Sequence, residues 1–203
     1  MFLPLTLVLV ASPGIGDIIL NVVRRRENLE RVRKFFHWAA RRSFWDLDIR
    51  ESRVTDYIAD VLTNFVRTEN LYPFRNQRGE RLETIAEMLL EANLITLSGG
   101  TLQREREIRK HIGDYVLFMA GIFPEYIKRR SLFDYYLEEG AKAYWSVSEL
   151  DRALLRPGAM LFQELASRFE LYVGALNYMR KAFFRDTLGD PYSFGSSVRK
   201  LIL

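Results

Sequence analysis

The chain of 203 residues contains no cysteine and only two histidines, His37 and His111. Without thiols there is no disulfide, no cysteine-ligated zinc, no iron–sulfur cluster and no thiol nucleophile. Two histidines also starve most other metal sites. A di-iron bundle needs Glu-x-x-His twice, whereas this sequence offers Glu107-x-x-x-His111 once. No metal or cofactor is expected. Phosphate-cradling and nucleophile motifs are missing as well. "SPGIGD" at 12–17 lacks the Gly-Lys-Ser/Thr of a P-loop, and there is no Gly-x-Ser-x-Gly, His-Glu-x-x-His or dinucleotide fingerprint. Glu138 and Glu139 are adjacent, so on a helix they diverge and make no carboxylate pair for glycoside chemistry.

Long apolar runs are also scarce. The run from Phe2 to Ala11 is interrupted by Pro4, is too short to span a bilayer and has no basic stretch before it. It reads as an apolar N-terminal segment, 1–23, lying against the body of the protein, with Ser12 and Pro13 opening the next helix; the alternative is a membrane-associated tip. No stretch alternates like a set of strands, and no repeat or low-complexity linker is present.

What remains is helical periodicity in a chain that is 48% hydrophobic and 13% aromatic, enough for a substantial core. Leu29, Val32, Phe36, Ala39 and Ser43 recur at threes and fours through 26–45. Val54, Tyr57, Ile58, Val61, Leu62 and Phe65 do so through 52–68, with Ser52 as a cap. A turn at Gly79 leads to a helix over 81–93 with Leu82, Ile85, Ala86, Leu89 and Leu90 inward. Thr101 caps a long helix ending near Gly121 and Pro124. Its core face is Leu102, Ile108, Ile112, Tyr115, Val116 and Met119. Ser131 and Asp134 suggest a capping box for 132–153. After "RPG" at 156–158 one last long helix covers 159–186. The expectation is an all-α single-domain bundle of about six to seven helices, with a helical domain over 24–188 and an irregular tail over 189–203.

Two patterns carry candidate chemistry. Arg104, Glu107, His111 and Asp114 fall on one helix face beside the apolar stripe. Carboxylates a turn before and after His111 favour its charged form, so His111, with Asp114 or Glu107, is a candidate acid or base. The same spacing also makes an ordinary surface ladder of ion pairs. A second pattern, "DYYLEEGAKAYW" at 134–145, is rich in aromatics around Gly140. A tight helix crossing explains it. The alternative is a pocket for an apolar small molecule near His111, lined by Tyr115, Tyr135 and Tyr144.

Charge is concentrated early. The net charge is only +4, but 24–42 hold eight basic and two acidic residues. In "RRRENLERVRKFFHWAARRSFW", Arg24, Arg25, Arg26, Arg33, Lys34, Arg41 and Arg42 interleave with Phe35, Phe36, Trp38, Phe44 and Trp45. Such a helix suits an anionic membrane surface or single-stranded nucleic acid. It equally suits a solvated face whose aromatics turn inward.

"RKHIGDYVLFMAGIFPE" at 109–125 resembles the central element of an uncharacterised family of bacterial helical proteins. In that family an Arg-rich helix runs into a His-Ile-Gly-Asp-Tyr segment and a Phe-Pro-Glu turn. "VTDYIADVLTNFVRTENLY" at 54–72 and "ETIAEMLLEA" at 83–92 resemble its earlier helices. The likeness covers about residues 50–185 and implies a helical fold with no activity attached. Because no catalytic motif is present, the expected role is a non-enzymatic interaction or regulatory protein of the bacterial cytoplasm, acting through a protein partner or self-association.

Overall fold

The computed structural model describes the backbone of residues 15–76, 78–97, 100–184 and 190–202, with side chains from residue 26 onward except Thr96. Among these residues there are nine α-helices and no strand: α1 (Ile15–Asp46), α2 (Ser52–Phe65), α3 (Ile85–Leu97), α4 (Leu102–Ile122), α5 (Pro124–Lys128), α6 (Phe133–Ala153), α7 (Ala159–Ser167), α8 (Phe169–Phe183) and α9 (Phe194–Ile202). The all-α expectation holds, but six to seven helices become nine. The segment before Ile15, with its helix-opening Ser12 and Pro13, lies outside the described residues. The expected boundary at residue 24 falls within α1.

Each extra helix has a physical cause. Pro124 cannot extend α4 but suits a first helical turn, so the short α5 starts on it. The expected helix over 159–186 breaks at Arg168 (φ −122°, ψ 30°). There Arg168 pairs with Glu51 at 2.7 Å and with Glu164 at 3.2 Å, and Phe169 beside it is buried. The expected irregular tail instead holds a 3-10 turn, Pro191–Ser193, whose Asp190 cap accepts from the Tyr192 and Ser193 amides, and α9 follows it directly. Its Phe194 is fully buried against Phe118 (5.0 Å between ring centroids), Phe36 (5.9 Å) and Phe123 (6.0 Å). Burying one such ring contributes roughly 1.5–3 kcal/mol, and Val198 is buried beside it.

The long helix α4 is the axis of the fold. Every residue from His111 to Ile122 is buried, because α2, α3, α5, α6 and α8 all pack against it. The charges of "REREIRK" belong to its first turns, where Thr101 accepts from the Arg104 amide and Leu102 is exposed rather than inward. Close packing around the later turns depends on missing side chains. A Cβ at Gly121 would lie 2.5 Å from Leu176 Cβ of α8, and one at Gly140 of α6 would lie 2.7 Å from Val116 Cγ1.

Three helices end alike. Asp48, Ser131 and Leu155 have φ of 58°, 53° and 52°. The next amide in each case reaches back five residues: Ile49 to Phe44, Leu132 to Ile127 and Arg156 to Asp151. These are Schellman caps built without glycine. Ser131 is thus the end of α5 and not the start of a capping box for α6, which has no side-chain cap. Leu155 is 94% exposed, so its side chain contributes no packing to offset the left-handed backbone. Leu155→Gly is expected to raise stability by about 1 kcal/mol. Urea unfolding midpoints of the two proteins measure it.

Candidate functional site

The sequence-derived stripe on α4 is drawn into the protein. His111 Nε2–H donates to the Leu71 carbonyl at 3.0 Å, and the ring lies between Phe74 (5.3 Å) and Phe65 (5.8 Å). Asp114, one turn on, is buried. It accepts from Tyr57 Oη at 2.5 Å, Tyr144 Oη at 2.8 Å and Lys110 Nζ at 2.6 Å. Glu107 points to solvent and accepts from Gln103 at 2.6 Å instead of facing the imidazole. The solvated ladder of ion pairs is therefore corrected. Arg104 lies over the Phe74 ring at 4.6 Å, Glu107 stays outside, and His111 and Asp114 are satisfied within the core.

Burial decides the titration of these groups. It pushes His111 below the ordinary histidine range, and the opposing effect of Asp114 is smaller, so the expected rise is reversed. Burial, followed by the charge of Asp114, holds Tyr57 and Tyr144 well above the ordinary phenol range, and both stay neutral donors. A histidine kept neutral when folded but free to protonate when unfolded contributes stability that is full above about pH 6.5. That stability is lost as pH falls toward the folded value. Wild type should therefore lose stability relative to His111→Gln below about pH 6.5, by at most ~1.4 kcal/mol per pH unit. Urea titrations at several pH values measure the difference.

The three candidate ligand tyrosines do not converge on a pocket. Tyr144 is fully buried against Gly113, where a Cβ would lie 2.6 Å from its ring. Tyr115 is buried and bonds Tyr72 at 3.1 Å. Tyr135 is exposed on α6. Nearby, Arg106 and Asp151 form an ion pair with Asp151 completely buried. Sequence reading missed it, because the two partners are 45 residues apart and no local motif joins them.

The basic helix behaves differently. One flank of α1 is tied to α2. Arg33 pairs with Asp60 at 3.0 Å, Arg41 pairs with Asp56 at 2.8 Å, and the His37 ring nitrogens lie 3.2 and 3.0 Å from Asp56 and Asp60. Phe36 and Phe44 turn into the core, as expected of inward aromatics, but Trp38 and Trp45 do not. They are 57% and 63% exposed and lie about 10.5 Å apart along the helix. Lys34 and Arg41 flank them on one side and Arg31 and Arg42 on the other. Lys34, His37, Trp38, Arg41, Arg42 and Trp45 line a shallow open groove. Arg50 covers one face of Trp45 at 3.5 Å. Arg26 is exposed one turn earlier, while the Arg24 and Arg25 side chains lie outside the described residues.

No protein-family model, curated protein or solved structure matches this chain. The site must accordingly be judged by its own chemistry. Among the described residues no group of three His, Asp or Glu side chains could hold a metal ion, and no helix is long and apolar enough to cross a membrane. On α4, His111 Nε2 and the Asp114 carboxylate are paired inside the protein. The α1 groove presents large aromatic faces and cations to solvent.

Helix α3 presents a second outward surface. Leu90 and Leu97 are 60% and 84% exposed, and Leu94 between them is exposed as well. The sequence reading placed Leu90 and Ala86 inward. Leu82 and Ile85 are buried as expected, but Met88 and Ala92 join them in the core in place of Ala86 and Leu90. The available signal was excess: a helix apolar on more than one face has more apolar residues than one contact can cover. Its true start was also legible. Thr84 and Glu87 form a capping box, with Glu87 accepting from the Thr84 amide at 3.0 Å and Thr84 from the Glu87 amide at 3.2 Å.

Proposed function

We propose that this chain is a non-enzymatic interaction protein of the bacterial cytoplasm that binds an acidic protein surface through the outer face of α1. The observation that carries the reading is the exposure of Trp38 and Trp45 between four cations. Trp and Arg are the residue types that anchor protein interfaces, and both tryptophans stay more than half exposed although Phe183 meets the edge of Trp38 and Arg50 covers one face of Trp45. Residues 31–45 contain five Lys or Arg and no Asp or Glu; Arg33, Arg41 and Arg42 pair with Asp60, Asp56 and Asp46, and Arg31 and Lys34 are left to favour a negative partner. The small-molecule and enzyme alternatives rest on His111 and its neighbours, where His111 Nε2 and the Asp114 carboxylate are engaged internally and Glu107 and Tyr135 lie outside.

The test is to select an unbiased peptide-display library against the purified protein. Enriched peptides should be acidic with apolar anchors. They should bind Trp38→Ser/Trp45→Ser at least ~30-fold more weakly, since an interface tryptophan commonly contributes about 2 kcal/mol or more. Added salt should weaken them. The reading is wrong if peptides bind both proteins equally. It is also wrong if only anionic phospholipid vesicles or single-stranded oligonucleotides show the tryptophan dependence.

A further inference from the structure

We infer that the acidic surface received by α1 is the outer face of α3 on a second copy of this chain. The inference rests on the reading of α1 given above and adds the identity of the partner. Residues 82–103 contain Glu83, Glu87 and Glu91 and no Lys, Arg or His. That is the charge inverse of residues 31–45. Glu87 and Glu91 flank the stripe of Leu90, Leu94 and Leu97 on one side. Glu91 makes no ion pair among the described residues, and neither do Arg31 and Lys34.

The apolar anchors match as well. Trp38 and Trp45 are seven residues apart on one helix, and Leu90 and Leu97 are seven residues apart on the other. Each pair spans about 10.5 Å, so two rings can meet two leucine side chains with the helices side by side. Within one chain the two faces do not cover each other, since all four side chains are exposed. The pairing is heterologous by charge. An α1–α1 contact would oppose cations, and an α3–α3 contact would oppose glutamates, whereas α1 on α3 pairs opposite signs. Such a contact leaves a free α1 and a free α3 at the ends, so it builds open chains or closes as a ring.

The contact is made by two helix faces and is smaller than a standard stable interface, so association is weak and appears at about 100 µM rather than at nanomolar concentration. Sedimentation velocity from about 1 to 300 µM tests it. Wild type should sediment faster with concentration, and less so in about 0.5 M salt, an ionic strength at which charge pairing is screened within about 5 Å. Trp38→Ser/Trp45→Ser should be monomeric alone, and so should Leu90→Ser/Leu97→Ser. Mixed, the two should form a heterodimer and nothing larger, because one retains a working α3 and the other a working α1. Far-UV circular dichroism confirms that both variants remain helical, as expected for changes at exposed positions.

Three results overturn the inference. Wild type could stay monomeric throughout. The tryptophan variant alone could dimerise, which would indicate α3–α3 pairing. The mixture could fail to form a heterodimer. If wild type is monomeric but still selects acidic peptides through Trp38 and Trp45, the α1 reading stands and the second copy is not its partner. If peptide binding is also independent of the tryptophans, both fall.

Discussion

Asp114→Ala should cost about 3–5 kcal/mol, a large part of the stability of a domain this size. The carboxylate sits at the meeting of three helices. Tyr57 of α2 and Tyr144 of α6 donate to it, and Lys110 pairs with it from the previous turn of α4. Removing it leaves the fully buried Tyr144 hydroxyl without an acceptor. Each hydrogen bond to a charged group is worth about 1.5–3 kcal/mol when the orphaned partner stays buried. The Lys110 pair adds less, since that ammonium is a third exposed. Asp114→Asn keeps one carbonyl acceptor and should cost distinctly less. Tyr144→Phe combined with Asp114→Ala should cost less than the two single changes added together, because the orphan disappears. Denaturant unfolding of wild type and the four variants measures all of this. Additive costs would mean that the phenols find other partners.

Gly140→Ala should be destabilising by about 3 kcal/mol, against the direction of helix propensity. Alanine in a helix interior is favoured over glycine by about 1 kcal/mol. The added Cβ, however, would meet Val116 Cγ1 of α4 at 2.7 Å and Phe169 Cε1 of α8 at 2.8 Å, both on buried side chains. Overpacking of this kind commonly costs about 1–3 kcal/mol, and here two neighbouring helices must move together. Gly174 of α8 has no atom within 4 Å of the same hypothetical Cβ. Gly174→Ala should stabilise by about 0.5–1 kcal/mol and serves as the control of opposite sign. Thermal unfolding of both variants reads the two signs, and two gains would mean that the α4–α6 crossing yields readily.

What the sequence disclosed follows a physical line. Features with local causes were readable: Thr101 as a cap, Gly79 with its φ of 81° as a turn, Gly121 and Gly140 as close approaches, and His111 with Asp114 on one helix. Features set by distant partners were not. Arg168 lies in "LASRFELY", which has no glycine or proline, and its break is tied to Glu51, 117 residues earlier in the chain. The burial of His111 depends on helices that surround α4 from both sides in sequence, and a single-face periodicity cannot report that. Between these cases stands α1. Trp38 and Trp45 lie about 100° or more around a regular helix from Phe36 and Phe44, so their outward direction was present in the spacing, but the run could also be read with its aromatics inward.

The enclosure of α4 has a consequence for how the chain is made. Its apolar half, residues 111–122, is covered partly by α2 and α3, which are synthesised first, and partly by α6 and α8, which come later. At about 5–20 residues per second, a ribosome needs roughly 3–12 s to go from the end of α4 to the end of α8. During that interval the nascent chain carries an apolar helix with one side bare. The long-range closure by α8 and α9 therefore sets the moment of protection. Truncations that stop before α8 should be captured by chaperones or proteases, whereas the full-length chain escapes them.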